Sequence, residues 1–188
     1  SGTILCEALM HYCRIPAQYL RKKFGFFNLQ EYNAEEWESL KSQYDSKIRP
    51  LPSGLIFGSD KSGEAVKTSR DNLSRLPFSD SVKISKLFFQ EKEKFENGTI
   101  ITNPPFAIRI GKIEDVKELY SDIGDFLKQK CTGTNAFIYM GDTSLRKSIG
   151  LKTSRRIHID NGKLEGVLVK IESYSGSKKK FYDDEKPE

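Results

Sequence analysis

The residues best suited to chemistry in this sequence form the run Asn103-Pro104-Pro105-Phe106, which follows the apolar segment Thr99-Ile100-Ile101-Thr102. The side-chain oxygen of Asn103 and the carbonyl of Pro104 can accept hydrogen bonds from both hydrogens of an amine conjugated to a ring. Such a pair draws the nitrogen toward tetrahedral geometry and aims its lone pair at an electrophile, which is positioning rather than acid–base catalysis. The prolines fix their φ angles and preset the loop. Phe106 offers a flat face on which a base taken out of its stack could rest. The same residues also read as a strand that ends in an ordinary Asn-Pro turn, and a short motif alone does not separate the two.

Three other groups invite a functional reading. Asp60 follows the apolar Leu55-Ile56-Phe57-Gly58 and can accept hydrogen bonds from ribose hydroxyls, although turn aspartates are common. Ser1-Gly2-Thr3 precedes a helical pattern and fits the tail of a glycine-rich loop that lets a ligand approach a helix N-terminus. Arg155-Arg156 and Lys178-Lys179-Lys180 can meet phosphates or simply be solvated. His11, His158 and the cysteines Cys6, Cys13 and Cys131 show no nucleophile–base set and no metal-ligand spacing, so no metal site is expected.

Alternating strand and helix patterns must position these residues. Ile4, Leu5, Ala8, Leu9 and Tyr12 spell a first helix. Residues 13–32 read as irregular, with Phe24, Phe26 and Phe27 tucking a connection onto the core. Asn33 caps a second helix that carries Trp37, Leu40 and Tyr44 on one face, and residues 49–54 break it. A short buried strand over 55–58 ends at Ser59-Asp60, and Ser62 caps a helix with Ala65, Val66, Ser69 and Leu73. Strands are expected over 82–89, 99–102 and 136–140. Val116, Leu119, Tyr120, Ile123, Phe126 and Leu127 form the clearest helical stripe, and Asp142 caps a short helix. Residues 156–160 and 164–171, around Asn161-Gly162, spell a β-hairpin. Such a pattern predicts a mostly parallel sheet with helices on both faces, closed by an antiparallel hairpin. Ligands of open sheets sit beyond the carboxyl ends of the strands, where Asp60, Gln90 and Asn103 fall.

The chain has 188 residues, enough for one domain with a proper core, expected over 1–174, with 175–188 as a charged, disordered tail. No apolar run approaches the ~20 residues of a membrane helix. Three widely spaced cysteines argue against a disulfide framework and for a reducing cytoplasm. The net charge of +5 suits a polyanionic partner without demanding one.

Taken in order, these residues resemble the guanine-N2 RNA methyltransferases that carry a THUMP RNA-binding domain ahead of a class I, Rossmann-like methyltransferase domain. Ser1-Gly2-Thr3 is similar to the end of that family's glycine loop, and Gly58-Ser59-Asp60 to its ribose-binding strand end. Gly25-Phe26 and Trp37 resemble its aromatic insertion. Thr102 to Gly111, with Arg109 and Gly111 retained, is similar to its Asn-Pro-Pro-Tyr-Gly-x-Arg-Leu-Gly signature. Leu151 through Glu165 resembles its closing hairpin. The departures are Ser62 for a second acid, Gln90 for the Asp that holds the cofactor's adenine amine, Ala107 and Ile108 after the loop, and Gly166 for a frequent Cys.

The resemblance implies S-adenosylmethionine as cofactor and a guanine of ribosomal or transfer RNA as substrate. It places Gly2, Thr3, Asp60 and Gln90 at the cofactor, and Asn103, Pro104 and Phe106 at the base. Arg109, Arg155 and Arg156 are the candidates for RNA contact. The family's first strand, most of its glycine loop and its THUMP domain are not in this sequence, which is expected to be a fragment of a longer chain. Asn-Pro-Pro-aromatic also serves adenine-N6 and protein-glutamine methyltransferases. A catalytically silent RNA-binding remnant of the fold is a further alternative.

Overall fold

The computed structural model describes residues 1–105, 113–159, 162 and 165–174. Phe106, Arg109, Asn161 and the 175–188 tail lie outside the described residues, as do Ala107, Ile108 and Gly111. The chain divides into two compact units, Ser1–Phe89 and Gln90–Glu188.

The first unit begins with helix α1 (Thr3–Cys13) and helix α2 (Ala34–Asp45), as the apolar spacing predicts. The Asn33 side chain accepts bonds from the Glu35 and Glu36 amides, which fixes where α2 starts. Strand β1 (Phe57–Asp60), helix α3 (Gly63–Leu73) and strand β2 (Lys83–Lys86) follow, and Ser62 caps α3 by accepting from the Ala65 amide. The strands pair in parallel, from Phe57 opposite Lys83 to Asp60 opposite Lys86. The core gathers Leu9 and Cys13 of α1 with Ile15, Leu51, Leu73, Leu76 and Val82.

Three expectations are corrected here. The first strand spans 57–60 rather than 55–58 and is largely exposed, because a turn closed by the Leu55 amide on the Pro52 carbonyl takes up its expected first residue. The second stops at Lys86 instead of Phe89. Its partner ends at Asp60, so the last rung is the Leu87 amide on the Asp60 carbonyl, and a short 3-10 turn over Phe89–Glu91 follows. The stripe of α2 does not face the core: no residue of α2 is buried, and Leu40 and Tyr44 are exposed. Trp37 packs instead with Phe24, Phe26 and Phe27 in a knot of rings at centroid distances of 5.0 to 5.9 Å. The rings satisfy one another rather than the core.

The second unit contains strand β3 (Thr99–Thr102), helix α4 (Ile113–Lys130), strand β4 (Thr134–Met140), a 3-10 segment over Thr143–Ile149 capped by Asp142, and strands β5 (Thr153–His158) and β6 (Val167–Ser173). The sheet order is β3-β4-β6-β5. Strand β3 runs parallel to β4, and β6 is antiparallel to both β4 and β5. Alternation on β4 buries Thr134, Ala136, Ile138 and Met140, and the α4 stripe buries Val116, Tyr120, Ile123 and Leu127. Gly124 lets α4 approach the 3-10 segment, since a Cβ there would collide with the Ile149 carbonyl. The hairpin is present, with β5 ending at His158 and β6 beginning at Val167, while the expected ends at 160 and 164 lie outside the described residues. Among the described residues the last rung is the Ile159 amide on the Gly166 carbonyl, and Gly162 has φ +65°. A Cβ at Gly166 would overlap the Tyr139 phenol, so a cysteine would not fit without moving that ring.

Candidate functional site

In the first unit the sequence motif at the N-terminus has a defined geometry. Gly2 is the N-cap of α1 with φ +68°, and a Cβ there would lie 2.8 Å from Ser69 Cβ on α3. Both features require glycine. The Ser1 carbonyl accepts a 2.9 Å bond from Asn72 Nδ2, which pins the same point to α3. No side chain caps α1, so the first-turn amides, from Thr3 onward, are free to meet a negatively charged or carboxylate group.

Asp60 is the last residue of β1 and is exposed. Its Oδ1 accepts a 2.8 Å bond from the Ser62 amide, which leaves Oδ2 as a charged acceptor without a partner among the described residues. Gly58, two residues earlier, lies directly under Leu5 of α1, where a Cβ would be too close to the leucine methyls. Glycine at 58 therefore seats the helix that begins at Thr3 against the strand that ends at Asp60. These two cofactor candidates thus belong to one packed substructure.

In the second unit, Asn103 follows the last residue of β3 and is exposed, while Pro104 behind it is buried. The loop is thus anchored by an apolar ring and presents a polar side chain. Phe106 and Arg109 fall outside the described residues. Gln90 donates from Nε2 to Asp122 Oδ2 on α4 at 3.0 Å, and its carbonyl accepts from Lys130 Nζ at 2.6 Å. With Nε2 so engaged, Oε1 is the end of the amide without a partner among the described residues, and it is an acceptor. Sequence reasoning missed Asp122, whose position 32 residues away in the chain gave no local signal.

Arg155 and Arg156 occupy successive positions of β5 and leave opposite faces of the strand. Arg156 faces the same side as His158, opposite the buried Val169 and Val167. Arg146, on the 3-10 segment, approaches this side as well and was not singled out by its sequence surroundings.

Burial raises the thiols of Cys6 and Cys13, and pushes Cys131 up to about 11. Cys13 and Cys131 are buried and Cys6 packs partly against the first unit's core, so all three serve as packing groups. Tyr120 is pushed up to about 12, first by burial and then by Asp142. Among the described residues no three His, Cys, Asp or Glu side chains come together to hold a metal, and no helix is long and apolar enough to cross a membrane.

Comparison with known proteins adds to this geometry. Residues 1–170 match the family model UPF0020, described as RMKL-like, methyltransferase domain. A candidate RNA methyltransferase of Synechocystis sp. is 33% identical over 93% of this chain and 46% of its own length. The Ribosomal RNA large subunit methyltransferase K/L of Psychromonas ingrahamii is 29% identical over 89% of this chain and 23% of its own. The chain thus spans half or less of the curated relatives it matches. Among solved structures, a candidate methyltransferase crystallised with SAH superposes with a TM-score of 0.83 at 24% identity, covering 94% of this chain and 46% of that one. A candidate methylase from Clostridium difficile 630 gives the same score at 22% identity, covering 94% and 47%. At that identity the likeness shows the fold, which is that of these methyltransferases.

Proposed function

Because this chain belongs to the RMKL-like methyltransferase family, we propose that it transfers a methyl group from S-adenosylmethionine to RNA, and that the acceptor is the exocyclic N2 amine of a guanine. The observation that carries the reading is the end of β3, where Asn103 stands exposed on a loop anchored by buried Pro104. A planar amine needs two acceptors to shed its conjugation, and the Asn103 oxygen with the Pro104 carbonyl supplies them. Phe106 is proposed to stack on the flipped base.

On the cofactor side, the free Oδ2 of Asp60 is suited to the ribose hydroxyls, and Oε1 of Gln90 to the adenine amine. The amides that begin at Thr3, made approachable by Gly2, are suited to a carboxylate. When bound, S-adenosylmethionine supplies the electrophilic methyl group. Relatives named as large-subunit ribosomal RNA methyltransferases support ribosomal RNA as the substrate, with transfer RNA as the other candidate. Arg109, Arg155 and Arg156 are proposed to contact that RNA. A THUMP-type domain in the parent chain would deliver it, and the three free cysteines suit the cytoplasm.

The test is to incubate the protein and labelled cofactor with undermodified ribosomal and transfer RNA, digest to nucleosides, and identify the product by mass spectrometry. The expected product is N2-methylguanosine. Label only in N6-methyladenosine, only on DNA, or only on protein glutamine would overturn the guanine assignment. No label at all, with RNA still bound, would make the chain a silent RNA-binding form of the fold.

A further inference from the structure

At the carboxyl ends of β4 and β5 the second unit has a cavity of about 200 Å³, floored by Met140 and Val169 and rimmed by Thr143, Arg146, Arg156 and His158. Its chemistry is unusual in one respect. Arg146 Nη1 and Arg156 Nε both donate to the single hydroxyl oxygen of Thr153, each at 3.4 Å. Two guanidinium groups therefore converge on one atom, and the three ion pairs among the described residues involve neither. Like charges brought together in a recess repel unless an anion neutralises them. Among the described residues each planar fork keeps most of its donors without a partner, in the geometry that matches phosphate oxygens.

The backbone is shaped for this convergence. Positions 153 and 156 would face opposite sides of a regular strand. The register shift between Thr153 and Arg155 inserts one residue, so Thr153 opposite Ile171 and Arg156 opposite Val169 share a face. The bulge is thus what aims the threonine hydroxyl at both arginines.

We propose that this cavity seats a backbone phosphate of the substrate RNA, gripped by Arg146 and Arg156, with Thr153 holding the two forks in place. The inference rests on the RNA reading above and deepens it. The cavity lies at the sheet edge where β3 also ends, so a phosphate held there would set the register of the strand whose base reaches Asn103.

The test is the salt dependence of RNA binding, measured by fluorescence anisotropy with a labelled ribosomal RNA hairpin from about 50 to about 200 mM KCl. Arg146→Gln and Arg156→Gln are each expected to weaken binding and to flatten the slope of log Kd against log salt by about one unit. Arg146→Lys and Arg156→Lys, which keep the charge, are expected to keep the wild-type slope. Affinity for SAH, measured by calorimetry, is expected to be unchanged in all four. Gln variants with the wild-type slope would overturn the phosphate seat. Lys variants as impaired as the Gln variants would reassign the arginines to structure, and loss of SAH affinity would reassign the cavity to the cofactor. If the wild-type protein bound no RNA, the RNA reading itself would fall, and this inference with it.

Discussion

Replacing Asp60 by Asn separates the turn bond its carboxylate makes from the ribose contact proposed for it. Oδ1 receives the Ser62 amide at 2.8 Å and shapes the turn into α3, while Oδ2 is open. Asparagine keeps an oxygen for the Ser62 amide and puts an amine where Oδ2 stood. The turn should survive, and the melting temperature should change little. A hydrogen bond to a charged group contributes about 1.5–3 kcal/mol, and each 1.4 kcal/mol is about tenfold in affinity. Asp60 is exposed, so water screening favours the lower end of that range. The Kd for SAH should therefore rise by about tenfold, read by titration calorimetry. Asp60→Ala should lose that affinity and in addition about 1 kcal/mol of stability from the abandoned Ser62 bond. Asp60→Asn that binds SAH within about twofold of wild type would refute the ribose assignment. Affinity and stability falling together in both variants would make Asp60 a turn residue only.

Asn103→Ala should leave SAH affinity intact and lower methyl transfer by about a hundredfold or more, since misplacement alone costs about that much; single-turnover transfer of labelled methyl measures it. Asp122→Ala should free the Gln90 amide to rotate and raise the Kd for SAH by a few fold without changing transfer at saturating cofactor. Gly124→Ala should destabilise the protein by about 1–3 kcal/mol through the collision with the Ile149 carbonyl, read by denaturant unfolding. Cys131 and Tyr120 have folded-state values raised to about 11 and about 12 from ordinary values of 9.0 and 10.0. The unfolded chain thus gives up these protons first. Their contribution to stability is complete below about pH 9 and should be lost as pH rises from there toward 11 and 12. Melting temperatures across that window, compared between wild type and Cys131→Ala, test the sign.

What was legible in the sequence was local. The caps at Asn33, Ser62 and Asp142 each act through an amide two or three residues away, so three helix starts could be read from short windows. The α4 stripe was readable because one buried face repeats at helical spacing. Strand ends were less legible, because a ladder stops where its partner stops. Lys86 ends β2 only because Asp60 ends β1. The α2 stripe misled for a related reason: Trp37 is apolar at the right spacing, but its partners are Phe24, Phe26 and Phe27 rather than the core. Among the candidate residues, Asn103 and Asp60 could be picked out by position after apolar segments, whereas Asp122 and Arg146 enter only through partners distant in the chain or on another element.

The strand order of the second unit follows from composition and has a consequence for the edge where the parallel strands end. Of the two hairpin strands, β6 carries Val167, Leu168, Val169 and Ile171, and β5 carries Arg155, Arg156 and His158. An apolar strand gains most from neighbours on both sides, and a charged one is tolerated at an edge, where it also discourages pairing with other chains. That preference puts β6 between β4 and β5, as observed. Because β6 is antiparallel to both, β5 is forced to run in the direction of β4, and β4 runs with β3. The carboxyl ends of β3, β4 and β5 then share one edge of the sheet, where open α/β folds hold their ligands. The hairpin therefore closes the sheet and, by the same pairing, carries His158 and the cation Arg156 to the edge at which Asn103 leaves β3. A shuffled hairpin sequence that exchanged the charged and apolar strands should lose both the order and the site, even if every residue type were retained.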